Sequence, residues 1–345
     1  MNNDAKYMSR CIQLAMQGAG YVAPNPLVGA LLVYKNRIIG EGWHRQYGGP
    51  HAEVNCIHSV AEEDREFISR SILYVSLEPC AHFGKTAPCT DLIIEKKIPE
   101  VVIGCRDPFK EVDGKGIEKL KAAGVKVKSG VLENECRELN KRFFIFHTLR
   151  RPYIILKWAE TGDKKIAGAG AERLMISNEL SNRLVHKWRS EEASILVGTH
   201  TAMLDNPELS TRLWPGPSPV RLVVDMDLKL PAELKLFDKS IRTVIFNKVK
   251  NEEQGQLLYY RVTERQHLVH QIMNALYQLK LISVLVEGGA KLHQSFIDEG
   301  LWDEIRVIQN RELLINKGLE APVFNKQDAN SELRLGADVI TTWYQ

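Results

Sequence analysis

The sequence is short of the features that would set it apart from ordinary folded chains. Six cysteines are spread over 345 residues, too thin a distribution for a disulfide framework. No apolar run approaches the roughly 18 residues of a membrane-spanning helix. The opening Met1-Asn2-Asn3-Asp4-Ala5-Lys6 lacks the apolar stretch of a secretory signal. There is no Lys/Arg tract and the net charge is only +3, which argues against a nucleic-acid partner and against a polybasic membrane anchor. G-x-G-x-x-G is missing, so the ordinary Rossmann fingerprint is excluded, and no internal repeat is visible. These absences fit a protein of the reducing cytoplasm, with Cys11, Cys56, Cys105 and Cys136 as buried small hydrophobes. What is present is a composition of 44% hydrophobic and 26% charged residues, that of a globular protein. A chain of 345 residues is expected to form two domains.

The chemistry concentrates between His51 and Cys89. The stretch reads His51-Ala52-Glu53, then an apolar run, then Pro79-Cys80 and, further on, Pro88-Cys89. One imidazole and two thiolates are three good zinc ligands, and three protein ligands leave a fourth position open, as in catalytic sites. Zinc lowers the pKa of a water it binds to about 7. Glu53, two residues from His51, is placed to carry that water's proton. The arrangement follows H-x-E…P-C-x-x-C, the pattern of zinc nucleobase deaminases, in which the Glu is the acid/base and not a ligand.

The pattern is altered in one place. Eight residues lie between Cys80 and Cys89, where two are usual. That long insert, with Asn25-Pro26-Leu27-Val28-Gly29 upstream, resembles the riboflavin-pathway deaminase family, and nearly the whole chain is similar to its bifunctional members, a pyrimidine deaminase fused to a reductase. The resemblance implies that Asn25, His44, His82 and Lys85 contact the deaminase substrate. It also implies a cytidine-deaminase-like α/β/α domain over residues 1–148 and a dihydrofolate-reductase-like α/β domain over 149–345.

Hydrophobic periodicity sketches the first half: a helix over about 4–17, strands 28–34 and 37–42 around a Lys35-Asn36 turn, a helix from His51 to about Ala61, and a buried strand 72–77. A helix from about Cys89, a strand 101–104 and an amphipathic helix over about 133–147 follow. Alternation of this kind implies a layered sheet. Glu78 reads as structural. The Asp113-Gly114-Lys115-Gly116 loop before a short helix has two readings, a phosphate cradle of backbone amides or a plain glycine turn.

In the second half, Tyr153–Ala159 has strand character and Ser177 is a candidate cap for a helix running to Arg189. The segment Thr199–Arg212 matches the family's reductase signature. By that resemblance Thr201 and Asp205 belong to the nicotinamide site, while Lys157, Arg189, Leu209, Arg212 and Glu287 face the substrate. Guanidinium groups match phosphate in a two-pronged fashion, which suits Arg189 and Arg212 to a ribose-phosphate, and a surface ion pair is the alternative for each. Gly288, Gly289 and Ala290 lie between a strand and a helix, where glycines let the backbone approach a pyrophosphate. Two family positions differ: Met175 stands where a tryptophan is usual and Met226 where a small polar residue is. Residues 247–278 read as a polar loop and an amphipathic helix with little functional signal.

The expectation is therefore a zinc-dependent hydrolytic deamination of a phosphoribosylated diaminopyrimidine, followed by NADPH-dependent reduction of its ribose to a ribityl chain. Small-molecule substrates, no nucleic acid, no membrane and a homo-oligomer are expected. Two rivals are a nucleic-acid base deaminase, disfavoured by the near-neutral charge, and a zinc-stabilised interaction protein, disfavoured by Glu53 beside a three-ligand site.

Overall fold

A computed structural model describes residues 3–81, 87–109, 113–170, 174–263, 265–325 and 328–345. The chain divides into two compact units, residues 1–150 and 151–345. No helix among the described residues is long and apolar enough to cross a membrane.

In the first unit, α1 (Asn3–Met16) buries Tyr7, Met8, Cys11, Leu14 and Ala15 at helical spacing. Strands β1 (Gly29–Tyr34) and β2 (Arg37–Trp43) form a hairpin. Its turn residues Lys35 and Asn36 both have positive φ, 45° and 64°, the geometry that matches the strands' right-handed twist. Then come α2 (Ala52–His58), β3 (Ile72–Leu77), α3 (Cys89–Glu95), β4 (Glu100–Cys105), α4 (Lys115–Ala122), β5 (Lys126–Ser129), α5 (Glu133–Leu139) and α6 (Lys141–Leu149). The five-stranded sheet has the order β2-β1-β3-β4-β5, with β3, β4 and β5 parallel. Strand alternation splits the core: Ala30 and Leu32 of β1 join Cys56 of α2, Ile93 of α3 and Leu120 of α4 on one face. Leu31 and Val33 join Met8 of α1, Cys136 of α5 and Phe144 of α6 on the other. This is the α/β/α layering expected.

One expectation is corrected here, and one open choice between two readings is narrowed. The single helix over about 133–147 is two, α5 and α6, broken at Asn140 (φ −108°, ψ 20°). Asn140 is buried and its amide is committed elsewhere: Oδ1 accepts from Leu27 N at 2.8 Å and Nδ2 donates to Leu27 O at 2.9 Å. The break thus secures the loop that carries Asn25. The Gly114–Gly116 loop is no phosphate cradle, because an internal carboxylate already fills it. Glu78 accepts from Asp107 N, Gly114 N, Gly116 N and Ile117 N at 3.0–3.4 Å. A Cβ on Gly116 would meet Pro79 O at 2.1 Å, so glycine is needed for this close approach. The structural reading of Glu78 describes what it does.

The second unit runs β6 (Tyr153–Thr161), β7 (Lys165–Gly168), α7 (Glu179–Glu191), β8 (Ser194–Val197), α8 (Thr199–Asp205), β9 (Val220–Val224), β10 (Thr243–Asn247), β11 (Glu252–Gln254) and β12 (Leu257–Arg261). It continues with α9 (Leu268–Gln278), β13 (Ser283–Gly288), α10 (Ala290–Asp298), β14 (Glu304–Asn310), β15 (Gly318–Glu320), β16 (Ser331–Leu335) and β17 (Asp338–Tyr344). A ten-stranded sheet has the order β11-β12-β10-β9-β8-β13-β6-β14-β17-β16. Its middle, from β12 to β14, is parallel, and its strands are correspondingly near-continuous apolar runs. The cap of α7 is Asn178 and not Ser177: Asn178 Oδ1 accepts from Ser181 N at 3.0 Å. The polar stretch after Asn247 contributes the edge strand β11 and its neighbour β12 and is not only a loop.

Candidate functional site

In the first unit the side chains of interest sit at the carboxyl end of the parallel strands, where α/β sheets bind ligands. Strand β3 ends at Leu77 and delivers Glu78-Pro79-Cys80, Cys89 opens α3, and His51 is the N-cap of α2. His51 Nδ1 lies 3.6 Å from Cys80 Sγ and 3.3 Å from Cys89 Sγ. The three ligand atoms all lie within 4.8 Å of one another, and no other such His/Cys/acid group occurs among the described residues. Bond lengths of about 2.0 Å to nitrogen and 2.3 Å to sulfur in a tetrahedral site put N and S about 3.5 Å apart. The donor set and its spacing therefore fit Zn2+.

The electrostatics agree. Hydrogen bonds from the Cys89 thiol, His51 and the Cys89 backbone outweigh burial and pull the Cys80 thiol down to about 4, so a thiolate is stable there. The same contact raises the remaining proton's hold on Cys89; a divalent cation would displace it. Glu53 is buried. Burial first, then the neighbouring Cys80 thiolate, holds its carboxyl above the usual range. It meets the Cys89 thiol through a hydrogen bond and is not part of the three-atom cluster.

Asn25 and His44 are brought together beside this cluster. Asn25 Nδ2 is 3.1 Å from His44 Nε2, and His44 Nδ1 is 3.0 Å from Pro50 O. The carbonyl requires Nδ1–H, which leaves Nε2 to accept from the Asn25 amide. Burial lowers the His44 pKa and favours this neutral ring. The His44 and His51 rings are 5.6 Å apart. His82 and Lys85 lie outside the described residues. Sequence reading missed Asp107, which follows β4. Burial raises its carboxyl to about 7 against the hydrogen bond from Phe109 N, with Glu78 and Cys80 adding to the rise. Its signal was its place just past a parallel strand.

In the second unit, three of the selected residues meet. Arg189 donates from Nε to Glu287 Oε1 at 2.8 Å and from Nη2 to Oε2 at 2.7 Å, and Lys157 Nζ lies 3.7 Å from Oε2. Burial alone would raise the Glu287 carboxyl, but the charges of Arg189 and Lys157 pull it down to about 2. The Nε/Nη2 edge of Arg189 is taken by Glu287, and its Nη1 donates to Ser210 O at 3.3 Å, so that edge is not open to a phosphate. Arg212 forms a surface ion pair with Glu208 at 3.0 Å. Leu209 is buried with φ 53°. His186, missed in the sequence, stands one turn before Arg189 and accepts from Arg212 N at 3.2 Å. Burial first, then Arg189, keeps it neutral with a pKa of about 4.

Thr201 and the glycines also converge. A Cβ on Gly288 would come within 3.2 Å of Thr201 Oγ1, and one on Gly289 within 3.1 Å. Gly288 has φ +143° and Gly289 caps α10, so bare backbone opens onto a helix start. The pyrophosphate of a dinucleotide fits a place of this kind. Asp205 ends α8 and is exposed. Met175 is exposed, while Met226 packs against the core.

The family of the cytidine and deoxycytidylate deaminase zinc-binding region matches residues 1–105, and that of the RibD C-terminal domain matches residues 152–314. The riboflavin biosynthesis protein RibD of Aquifex aeolicus is 39% identical over 309 residues, 88% of this chain and 86% of that protein. The crystal structure of a diaminohydroxyphosphoribosylaminopyrimidine deaminase/5-amino-6-(5-phosphoribosylamino)uracil reductase from Thermotoga maritima has 35% identity and a TM-score of 0.89, covering 99% of this chain and 98% of that one. RibD of Acinetobacter baumannii, at 27% identity, gives a TM-score of 0.87 over the same shares. With a zinc-binding deaminase half and a reductase half of the NADPH-dependent type, the chain belongs to the RibD family of bifunctional deaminase–reductases of riboflavin biosynthesis.

Proposed function

We propose that residues 1–148 deaminate a phosphoribosylated 2,5-diaminopyrimidinone and that residues 149–345 reduce the ribose of the product to a ribityl chain with NADPH. The observation that carries the first half is the His51–Cys80–Cys89 cluster with buried Glu53 beside it. Zinc, when bound by those three residues, supplies Lewis acidity at neutral pH. Glu53 takes the proton of the attacking water and returns it to the departing amine, so that water and the aminopyrimidine become ammonia and the oxo product. Its raised pKa suits an acid/base that must both accept and give. Asn25, oriented by His44, presents its amide oxygen to the ring, and His82 and Lys85 serve the same substrate.

In the second half NADPH, when bound, supplies the hydride. Thr201, Asp205, Gly288, Gly289 and Ala290 hold it, and Lys157, Leu209 and Glu287 face the sugar, with Arg189 fixing Glu287. The phosphate falls to Arg212. Its exposed pair with Glu208 contributes only about 0–1 kcal/mol, so exchanging Glu208 for a phosphate costs little. A cytoplasmic homo-oligomer is the form proposed. The test is a coupled assay on zinc-loaded enzyme: ammonia release without NADPH, then NADPH oxidation dependent on the first product. Oxidation of NADPH with no prior ammonia release would reject the order, and zinc removal that leaves ammonia release intact would reject the first site.

A further inference from the structure

His293 is fully buried on α10, one turn in from Gly289. Its backbone N–H donates to Gly289 O at 3.1 Å, and its ring reaches back so that Nε2 is 3.0 Å from Val286 O. The two bonds bracket residues 286–293, and between them lie Glu287, Gly288, Gly289 and Ala290. This is also where the sheet stops supporting the chain. The β13–β6 ladder pairs Val286 with Leu156 and goes no further, and Gly288 is already paired with Val197 of β8. Glu287 sits at the parting. The His293 ring stands in that gap, 5.4 Å from the Trp158 ring of β6 and against the main chain of Lys157.

The side chain is costly where it is. His293 Nδ1 makes no well-formed hydrogen bond among the described residues, and the main chain of Lys157 is the one further polar group that acts on the ring; a buried nitrogen so weakly served is destabilising and calls for a reason. An apolar side chain would fill the same space with no such cost. Burial pushes the imidazole down to about 4, so the ring is neutral, with the proton on Nε2 facing the Val286 carbonyl.

Resting on the reading of Glu287 and Gly288–Ala290 as the reductase site, we propose that His293 is a positioning residue for that reaction: its Nε2–H bond to Val286 O holds the Glu287–Ala290 loop in register with Lys157 on one side and Thr201 on the other. The residue touches neither substrate nor cofactor and acts through the loop.

Full-length, zinc-loaded His293→Leu, His293→Gln and Glu287→Gln enzymes test this, with ammonia release as an internal control of folding. His293→Leu fills the space but cannot donate. Its reductase kcat/KM is expected to fall at least about tenfold, the scale of one lost buried hydrogen bond, with a higher KM for NADPH and unchanged ammonia release. His293→Gln places an amide nitrogen at about the reach of Nε2 and is expected to recover most of that loss. Wild-type reductase kinetics in His293→Leu would overturn the proposal, as would a His293→Gln enzyme that folds normally yet is as slow as His293→Leu. Should His293→Leu not fold, His293→Asn, whose amide is one bond too short, takes its place against His293→Gln. Full reductase activity in Glu287→Gln would remove the site reading itself. Loss there beside normal kinetics in His293→Leu would sink the staple alone.

Discussion

At the scale of single residues, two carboxylates behave oppositely because of what stands beside them. Glu53 is buried next to a thiolate and holds its proton more firmly than usual. Glu53→Gln keeps the size and removes the proton carrier. It should retain stoichiometric zinc and lose deamination by at least about a hundredfold, the usual scale of acid/base catalysis; metal analysis and ammonia release on one preparation check this, and loss of zinc would make Glu53 a ligand. The Glu287 side chain, 7% exposed, lies between two cations and has a folded pKa of about 2 against an ordinary 4.5. A depressed folded pKa contributes stability that is complete above the unfolded pKa and is lost as pH falls through the folded one. Denaturation followed by tryptophan fluorescence, which reports mainly on the second unit because Trp43 is the one tryptophan of the first, should show extra weakening between about pH 4.5 and about pH 2 in the wild type. Glu287→Gln should lack that increment; an identical pH slope in both proteins would refute the ion pair's part in stability. Gly289 has φ −87°, open to any residue, so backbone conformation does not demand glycine there. The obstacle to a side chain is Thr201 Oγ1 at 3.1 Å. Gly289→Val should weaken NADPH binding at least about tenfold, the loss of one charge-assisted bond, with little change in melting temperature. Normal NADPH affinity in the folded variant would reduce Gly289 to a packing position.

At the scale of elements, the loop after β4 shows how one side chain does the work of a ligand. Glu78 accepts from the amides of Asp107, Gly114, Gly116 and Ile117. Hydrogen bonds to charged groups contribute about 1.5–3 kcal/mol each. Glu78→Ala should therefore destabilise the first unit by at least about 3 kcal/mol in urea, even if water replaces part of the network, and should leave NADPH binding by the second unit unchanged. A loss under 1 kcal/mol would mean that the loop is held by other contacts. Local patterns were legible in the sequence where their cause is local. The Lys35-Asn36 hairpin, the layered alternation and the ligand types at His51, Cys80 and Cys89 all read directly from neighbours and spacing. What was not legible depends on partners far along the chain. Asn140 breaks a helix for Leu27, which is 113 residues away. The Arg189 fork is consumed by Glu287, which is 98 residues away. A Gly-Lys-Gly loop signals exposed amides but not the carboxylate that fills them.

At the scale of the whole molecule, each unit is one continuous stretch of chain, and the division at Arg150/Arg151 gives a direct test of the proposed domain assignment. A fragment of residues 1–150 should be soluble, bind one zinc per chain and release ammonia from the pyrimidine substrate at a rate within about threefold of the full protein. Insolubility, rescued only by the second unit, would make the separation one of sequence alone. The strand order carries a further implication, for the order of manufacture. β6 is the first strand of the second unit, yet it pairs on one side with β13 and on the other with β14. Its neighbours are therefore among the last strands to be translated. The first unit is complete and ready for its metal while the ribosome is still producing the second, whereas β6 must wait, apolar and unpaired, for more than a hundred further residues to emerge. Nascent chains of this protein should accordingly depend on holding chaperones late in translation and not early.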